Sequence, residues 1–191
     1  MERVSVAPTV EPITVEIAKA QIRELSGALT EDALIQGYIA AAREYAEMMT
    51  GRALLTQTVE AYFDNWHCWY ALRKGPVQSI SSVAYLSEAT PTVYTALGAT
   101  NYYTDLVGVP ARVVMSTDVT LPTLAVRPNP IRITFLAGNT TATDVPHTIK
   151  LAMLLLVGAY YENRENIEMG TVKDPAQTAA DVLLRNNRLY Y

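Results

Sequence analysis

Residues 149–161, IKLAMLLLVGAYY, are apolar except for Lys150 and a few small residues, and the chain then turns abruptly to Glu162, Asn163, Arg164 and Glu165. A helix that is apolar on nearly every side must be covered on nearly every side. The run is about 13 residues long, whereas a bilayer span needs roughly 20. It therefore reads as a central core helix, with some of its surface expected against another subunit. Its large side chains include Ile149, Leu151, Met153, Leu154, Leu155, Leu156, Val157, Tyr160 and Tyr161. Burying each contributes roughly 1.5–3 kcal/mol before entropy is subtracted.

Such a helix needs partners, and the N-terminal half supplies two. TVEIAKAQIREL opens at Thr14, a fitting N-cap, and stops at Ser26-Gly27. Ala18, Ile22 and Leu25 share one face of it. TEDALIQGYIAAAREYAEMMTG follows, with Thr30 as cap and Glu31 and Asp32 at the positive end of the dipole. Leu34, Ile35, Tyr38, Ile39, Ala42, Tyr45, Ala46 and Met49 recur at helical spacing, and Gly51 suits the C-terminal stop. Arg43, Glu44 and Glu47 are read on the wetter side. The first residues, with Pro8 and Pro12, read as an extended arm without an apolar signal-peptide core.

Between the helix pair and the core helix the period changes. TVEAYF places Val59, Ala61 and Phe63 on one face, and IRITFLAG alternates Ile131, Ile133 and Phe135 against Arg132 and Thr134. VQSISSVAYL and PARVVM are further strands. Pro76, Pro91, Pro110, Pro122, Pro128 and Pro130 keep the strands short. Residues 87–130 carry no pattern that settles their conformation. Near the C-terminus, Asp174-Pro175-Ala176-Gln177 is a helix start after a linker-like stretch.

The expected fold class is thus α+β. Two N-terminal helices and a long apolar helix form a small helical core, which carries a β-rich insertion and a C-terminal helical tail. The expected boundaries are an arm over 1–13, a main domain over 14–167, and a linker and tail over 168–191. Within the main domain, helices are expected over 14–25, 31–50 and 147–165, and the insertion over 54–136.

Catalytic signals are thin. His67 and Cys68 are adjacent, and the only other histidine is His147, too few donors for a metal centre. No Gly-rich phosphate loop and no nucleophile elbow occurs. Glu162 and Glu165 lie one turn apart beside Arg164, but read more simply as the solvated end of the core helix. The net charge of −4 speaks against non-specific binding to duplex DNA. The single cysteine rules out an intrachain disulfide and fits a reducing compartment.

The ordered set AKAQIREL, DALIQGYIAAAREYAEMMTGRALLTQT, GPVQSISSVAYL, IRITFLAG and VPHTIKLAMLLLVGAYYENRE resembles the head–tail connector (adaptor, or head-completion) proteins of tailed bacteriophages and gene-transfer agents, over residues 14–167. One departure is SEATPT in place of an Asp/Gly-rich turn after VAYL. The resemblance implies a structural virion protein of the neck, present in the host cytoplasm during assembly, with no enzymatic activity and no cofactor. It implies a homo-oligomeric ring, usually a dodecamer, beneath the portal protein. Packaged DNA passes through the lumen without specific binding, a stopper or tail-completion protein attaches to the ring, and no membrane is involved. The resemblance also assigns a portal-binding tail at Leu183, Leu184, Arg185, Arg188, Leu189, Tyr190 and Tyr191. Contacts between subunits are expected at Arg43, Glu47, Tyr161, Glu162, Arg164 and Glu165. The alternatives are another neck role, as stopper or tail-completion protein, or a bacterial enzyme or ligand-binding domain.

Overall fold

The structure, a computed structural model, describes residues 1–22, 31–162 and 175–189. Four helices are present among them: α1 (Val15–Ile22), α2 (Asp32–Thr50), α3 (His147–Glu162) and α4 (Pro175–Arg185). The strands are β1 (Glu2–Val6), β2 (Gln57–Phe63), β3 (Trp69–Leu72), β4 (Val77–Tyr85), β5 (Thr95–Ala96), β6 (Tyr102–Asp105), β7 (Ala111–Met115) and β8 (Ile131–Ala137). The chain divides into two units. One joins Met1–Pro8 to Thr56–Asn139 and is β-rich; the other joins Thr9–Leu55 to the chain from Thr140 onward and is helical. The α+β class is as expected from the sequence.

In the helical unit α3 packs against α1, α2 and α4. Ile149, Ala152, Met153, Leu156 and Val157 are fully buried there with Ile35, Ile39, Ala42, Ala46, Leu54 and Leu55. Thr14 caps α1 through a long bond, its hydroxyl accepting the Ile17 amide at 3.4 Å. The left-handed Gly51 (φ 71°) ends α2 and donates its amide to the Glu47 carbonyl at 2.9 Å. The caps expected at Thr30 and Asp174, and the core position expected at Leu25, lie outside the described residues.

Two features of this unit correct the sequence reading. Arg43 and Glu47, placed on the wet side of α2, are buried. The C-terminal helix, expected as a tail beyond the main domain, packs on α3. Ala180 and Leu184 are fully buried in the shared core, with Leu183 against it. The physical reason is visible in the sequence of α4: Ala180 and Leu184 are one turn apart and give it an apolar face of its own.

The β-rich unit holds two antiparallel sheets. The larger has the order β1-β2-β8-β4-β5 and the smaller β3-β7-β6. Strict alternation on β8 puts Ile131, Ile133, Phe135 and Ala137 inside. They meet β2 in register, Ala61 opposite Ile133 and Val59 opposite Phe135. The N-terminal arm is not free: Glu2–Val6 is an edge strand on β2. Only the distant partner reveals it, because five mostly exposed residues make no strand alone. Three strands are tied across the sheet's polar face. Arg3 of β1 meets Glu60 of β2 at 2.9 Å, and Arg132 of β8 approaches the same carboxylate at 3.6 Å. After VAYL, the Ser87 hydroxyl accepts the Thr90 amide at 3.1 Å, so a hydroxyl turn stands where the resemblance implied an Asp/Gly turn.

Two tests follow from this packing. Leu184→Ala removes a wholly buried side chain from the helical core and is expected to cost about 2–5 kcal/mol in chemical denaturation. If α4 were an independent tail, the loss would be close to zero. The Tyr62 hydroxyl, and then Arg3, hold the Glu60 carboxyl below the usual carboxylate range. A depressed carboxylate pKa adds stability above the unfolded-state value, and that stability fades as pH falls through the folded value. Unfolding curves of Glu60→Gln and the parent protein are therefore expected to converge as the pH is lowered from neutrality into the carboxylate range.

Candidate functional site

The best-formed cleft, in the β-rich unit, is lined by Glu2, His67, Trp69, Tyr70 and Arg73 among others. Two of its polar side chains, Glu2 and Tyr70, are engaged in holding the fold. The Glu2 carboxylate accepts the amides of Arg73 (2.7 Å) and Lys74 (3.0 Å). The Tyr70 hydroxyl donates to the Asn65 carbonyl at 3.0 Å and accepts the His67 amide at 2.9 Å. Burial pushes that hydroxyl up to about 12, so it stays protonated at neutral pH. His67 lies edge-on to the Tyr70 ring, and Cys68 is exposed. No group of three or more His, Cys, Asp or Glu that could hold a metal occurs among the described residues. No described helix is long and apolar enough to cross a membrane.

The charged centre of the helical unit lies on α2. Arg43 donates from Nε to both oxygens of Glu11, at 2.9 and 3.2 Å. Its guanidinium lies 3.9 Å from the Glu47 carboxylate, one turn along. Glu47 in turn accepts the Leu54 amide at 2.9 Å. Burial raises the pKa of Glu11, against the opposing pull of Arg43. These ions tie α2 to the segment before α1 and to the chain leaving its own C-terminus. Both Arg43 and Glu47 were expected at a seam between subunits; within the chain they make the contacts just described.

The other expected seam residues are scattered. The Tyr161 hydroxyl donates to Glu31 at 3.1 Å, joining the end of α3 to the approach to α2. Glu162 is exposed at the end of α3. Arg164 and Glu165 lie outside the described residues. Of the expected portal-binding tail, Leu184 is core and Leu183 is half-buried, whereas Arg185 and Arg188 are exposed. Leu189 is half-buried and donates its amide to the Thr50 carbonyl at 2.8 Å. Tyr190 and Tyr191 lie outside the described residues. The Tyr45 hydroxyl donates to Asp181 at 2.6 Å and locks α4 to α2.

Two surfaces escaped the sequence reading. With its ions turned inward, α2 presents Leu34 (41% exposed), Gly37, Ala41 and Met48 (69% exposed) to the outside, with Glu44 as the charge among them. An ordinary surface helix has the reverse arrangement. An added Cβ at Gly37 would meet nothing within 4 Å. A mid-helix glycine costs about 1 kcal/mol relative to alanine, and no contact within the chain requires one here. In the small sheet, Trp69 pairs with Val114 and Val114 with Tyr103, an exposed row across all three strands. The sequence signal for the first surface was present: α2 carries apolar residues around most of its circumference and too few charges to cover an outer face.

The described residues thus form a two-unit α+β fold with exposed apolar faces on α2 and on the small sheet. No family model matches the sequence, and no curated protein matches it. Solved structures do match, over essentially the whole chain. A chain in the neck of an empty gene transfer agent (GTA) particle, computed with C6 symmetry, aligns with a TM-score of 0.78 at 20% identity, covering 100% of this chain and 96% of that one. A chain of the virion of a native GTA particle gives 0.72 at 22% identity, covering 100% and 96%. A chain in the neck of a native GTA particle computed with C12 symmetry gives 0.69 at 21% identity, covering 99% and 96%. The chain therefore has the fold found in neck and virion components of gene transfer agents.

The buried ion cluster carries its own test. Arg43→Ala leaves Glu47 and Glu11 without their cation and is expected to cost about 3–5 kcal/mol, read by chemical denaturation. A loss within about 0.5 kcal/mol, as for an ordinary surface substitution, would place Arg43 in solvent instead.

Proposed function

We propose that the protein is a structural component of the neck of a tailed-phage or phage-like particle, acting as a head–tail adaptor. Copies of the chain form a ring beneath the portal that extends the DNA channel and offers an attachment surface to a stopper or tail protein. The observation that carries this reading is the full-length fold match to chains from particle necks. The symmetries of those structures, C6 and C12, favour a cyclic ring of twelve or six over other assemblies. The net charge of −4 suits a channel through which DNA slides without adhering.

The portal contact is assigned to the end of the chain from Arg188 onward, because Leu183 and Leu184 are taken up by the core. This divides stability from attachment. Removing residues 188–191, which include the half-buried Leu189 bonded to the Thr50 carbonyl, is expected to lower thermal stability only modestly and to abolish joining to DNA-filled heads. Electron microscopy of particles carrying the full chain is expected to show a cyclic ring below the portal. A closed two-fold dimer as the sole assembled form would sink the ring reading, and unimpaired head attachment by the shortened chain would sink the portal assignment.

A further inference from the structure

The inverted surface of α2 is a seam with a repeat. Leu34, Gly37, Ala41, Glu44 and Met48 follow one another at steps of three and four residues along its outer side. That spacing is the one by which helices interlock side chains with a neighbour. The outer side of α4 has the same steps. Pro175, Thr178, Val182 and Arg185 are all exposed, and Val182 is 55% exposed although it is aliphatic. The α2 seam has the small residues Gly37 and Ala41 at its centre, and the α4 seam has the branched Val182 to set against them.

The charges of the two seams are complementary. Glu44 is the carboxylate of the α2 seam, with its side chain 73% exposed and Arg43 3.6 Å away. Arg185 is the cation of the α4 seam. On α2 the acid stands three residues after Ala41; on α4 the base stands three residues after Val182. Laid side by side in parallel, the two helices place Val182 over the hollow at Gly37 and Ala41 as they bring Arg185 to Glu44. The hollow explains Gly37, which nothing within its own chain requires.

We infer that α2 of one copy packs its outer seam against the outer seam of α4 from a second copy, with Glu44 paired to Arg185 across the contact. The inference rests on the ring assembly proposed above. The two seams are different surfaces of one chain, so the contact is head-to-tail and propagates around a ring instead of closing at two copies. It also gives α4 a second role. Ala180 and Leu184 anchor it inside its own chain, and Val182 and Arg185 face the neighbour.

Charge reversal and thiol trapping test this together, with the full chain assembled on particles. Arg185→Glu is expected to keep the parent melting temperature, Glu44→Arg to lower it modestly because it sets a second cation beside Arg43, and each is expected to lower ring occupancy by the folded chain at least tenfold. Together in one chain they are expected to restore it. In a Cys68→Ser background, particles assembled from an equal mixture of Ala41→Cys and Val182→Cys chains are expected to yield disulfide-linked dimers on mild oxidation. Particles of either variant alone are expected to yield none. Full occupancy of both single charge variants, or no rescue by the pair, overturns the inference, as do dimers from Ala41→Cys alone, which would mean α2 meets α2. A parent protein that forms no ring refutes the ring reading itself, an outcome distinct from a ring that forms but ignores these substitutions.

Discussion

The orientation of α2 depends on two buried ions, Arg43 and Glu47, and on the half-buried Glu11 that Arg43 meets. Arg43 cannot leave its place between Glu11 and Glu47 without stranding a carboxylate in the core, and Glu47 also holds the Leu54 amide. With those groups fixed inward, Ile35, Ile39, Ala42 and Ala46 fall against α3. The remaining arc, Leu34 through Met48, is left outside. A helix with an ordinary polar exterior would have had no need of an ionic interior. The contacts that stabilise the single chain and the surface that invites a second copy are thus two consequences of one rotation.

The two units use different means of specification. The helical unit relies on volume: α3 is enclosed by three other helices and a few caps suffice to stop them. The β-rich unit relies on alternation and register. The pairing of Val59 with Phe135 and Ala61 with Ile133 sets one face as core. The opposite face is ordered by Glu60 with Arg3 and Arg132, and Arg132 also lies over the Tyr94 ring at 4.3 Å. A slip by one residue would exchange the two faces, which is why both need to be strong.

About 20% identity over a whole chain, with a TM-score of 0.78, is what such specification permits. Core volume and alternation can be met by many side chains, so the backbone arrangement persists as the residues change. The apolar arc of α2 and the row Trp69–Val114–Tyr103 are exposed apolar surfaces of the kind that mark interaction sites.

The strand alternation at Val59–Ala61 and at Ile131–Phe135, the stop at Gly51 and the burial of Ile149, Met153, Leu156 and Val157 were legible in the sequence, because each follows from neighbours a few residues apart, whereas Leu151, read with them as core, is 47% exposed. The strand at Glu2–Val6, the burial of Arg43 and Glu47, and the docking of α4 through Leu184 were not. Each depends on a partner far along the chain: β2 for the first, Glu11 and the Leu54 amide for the second, α3 for the third. A charged residue reads as exposed until its counter-ion is located, and a short terminal strand reads as coil until its pairing strand is known. Local periodicity determined which segments would be helices and strands; the tertiary structure alone decided which face of α2 turned inward, since that choice belongs to long-range ion pairing and not to spacing.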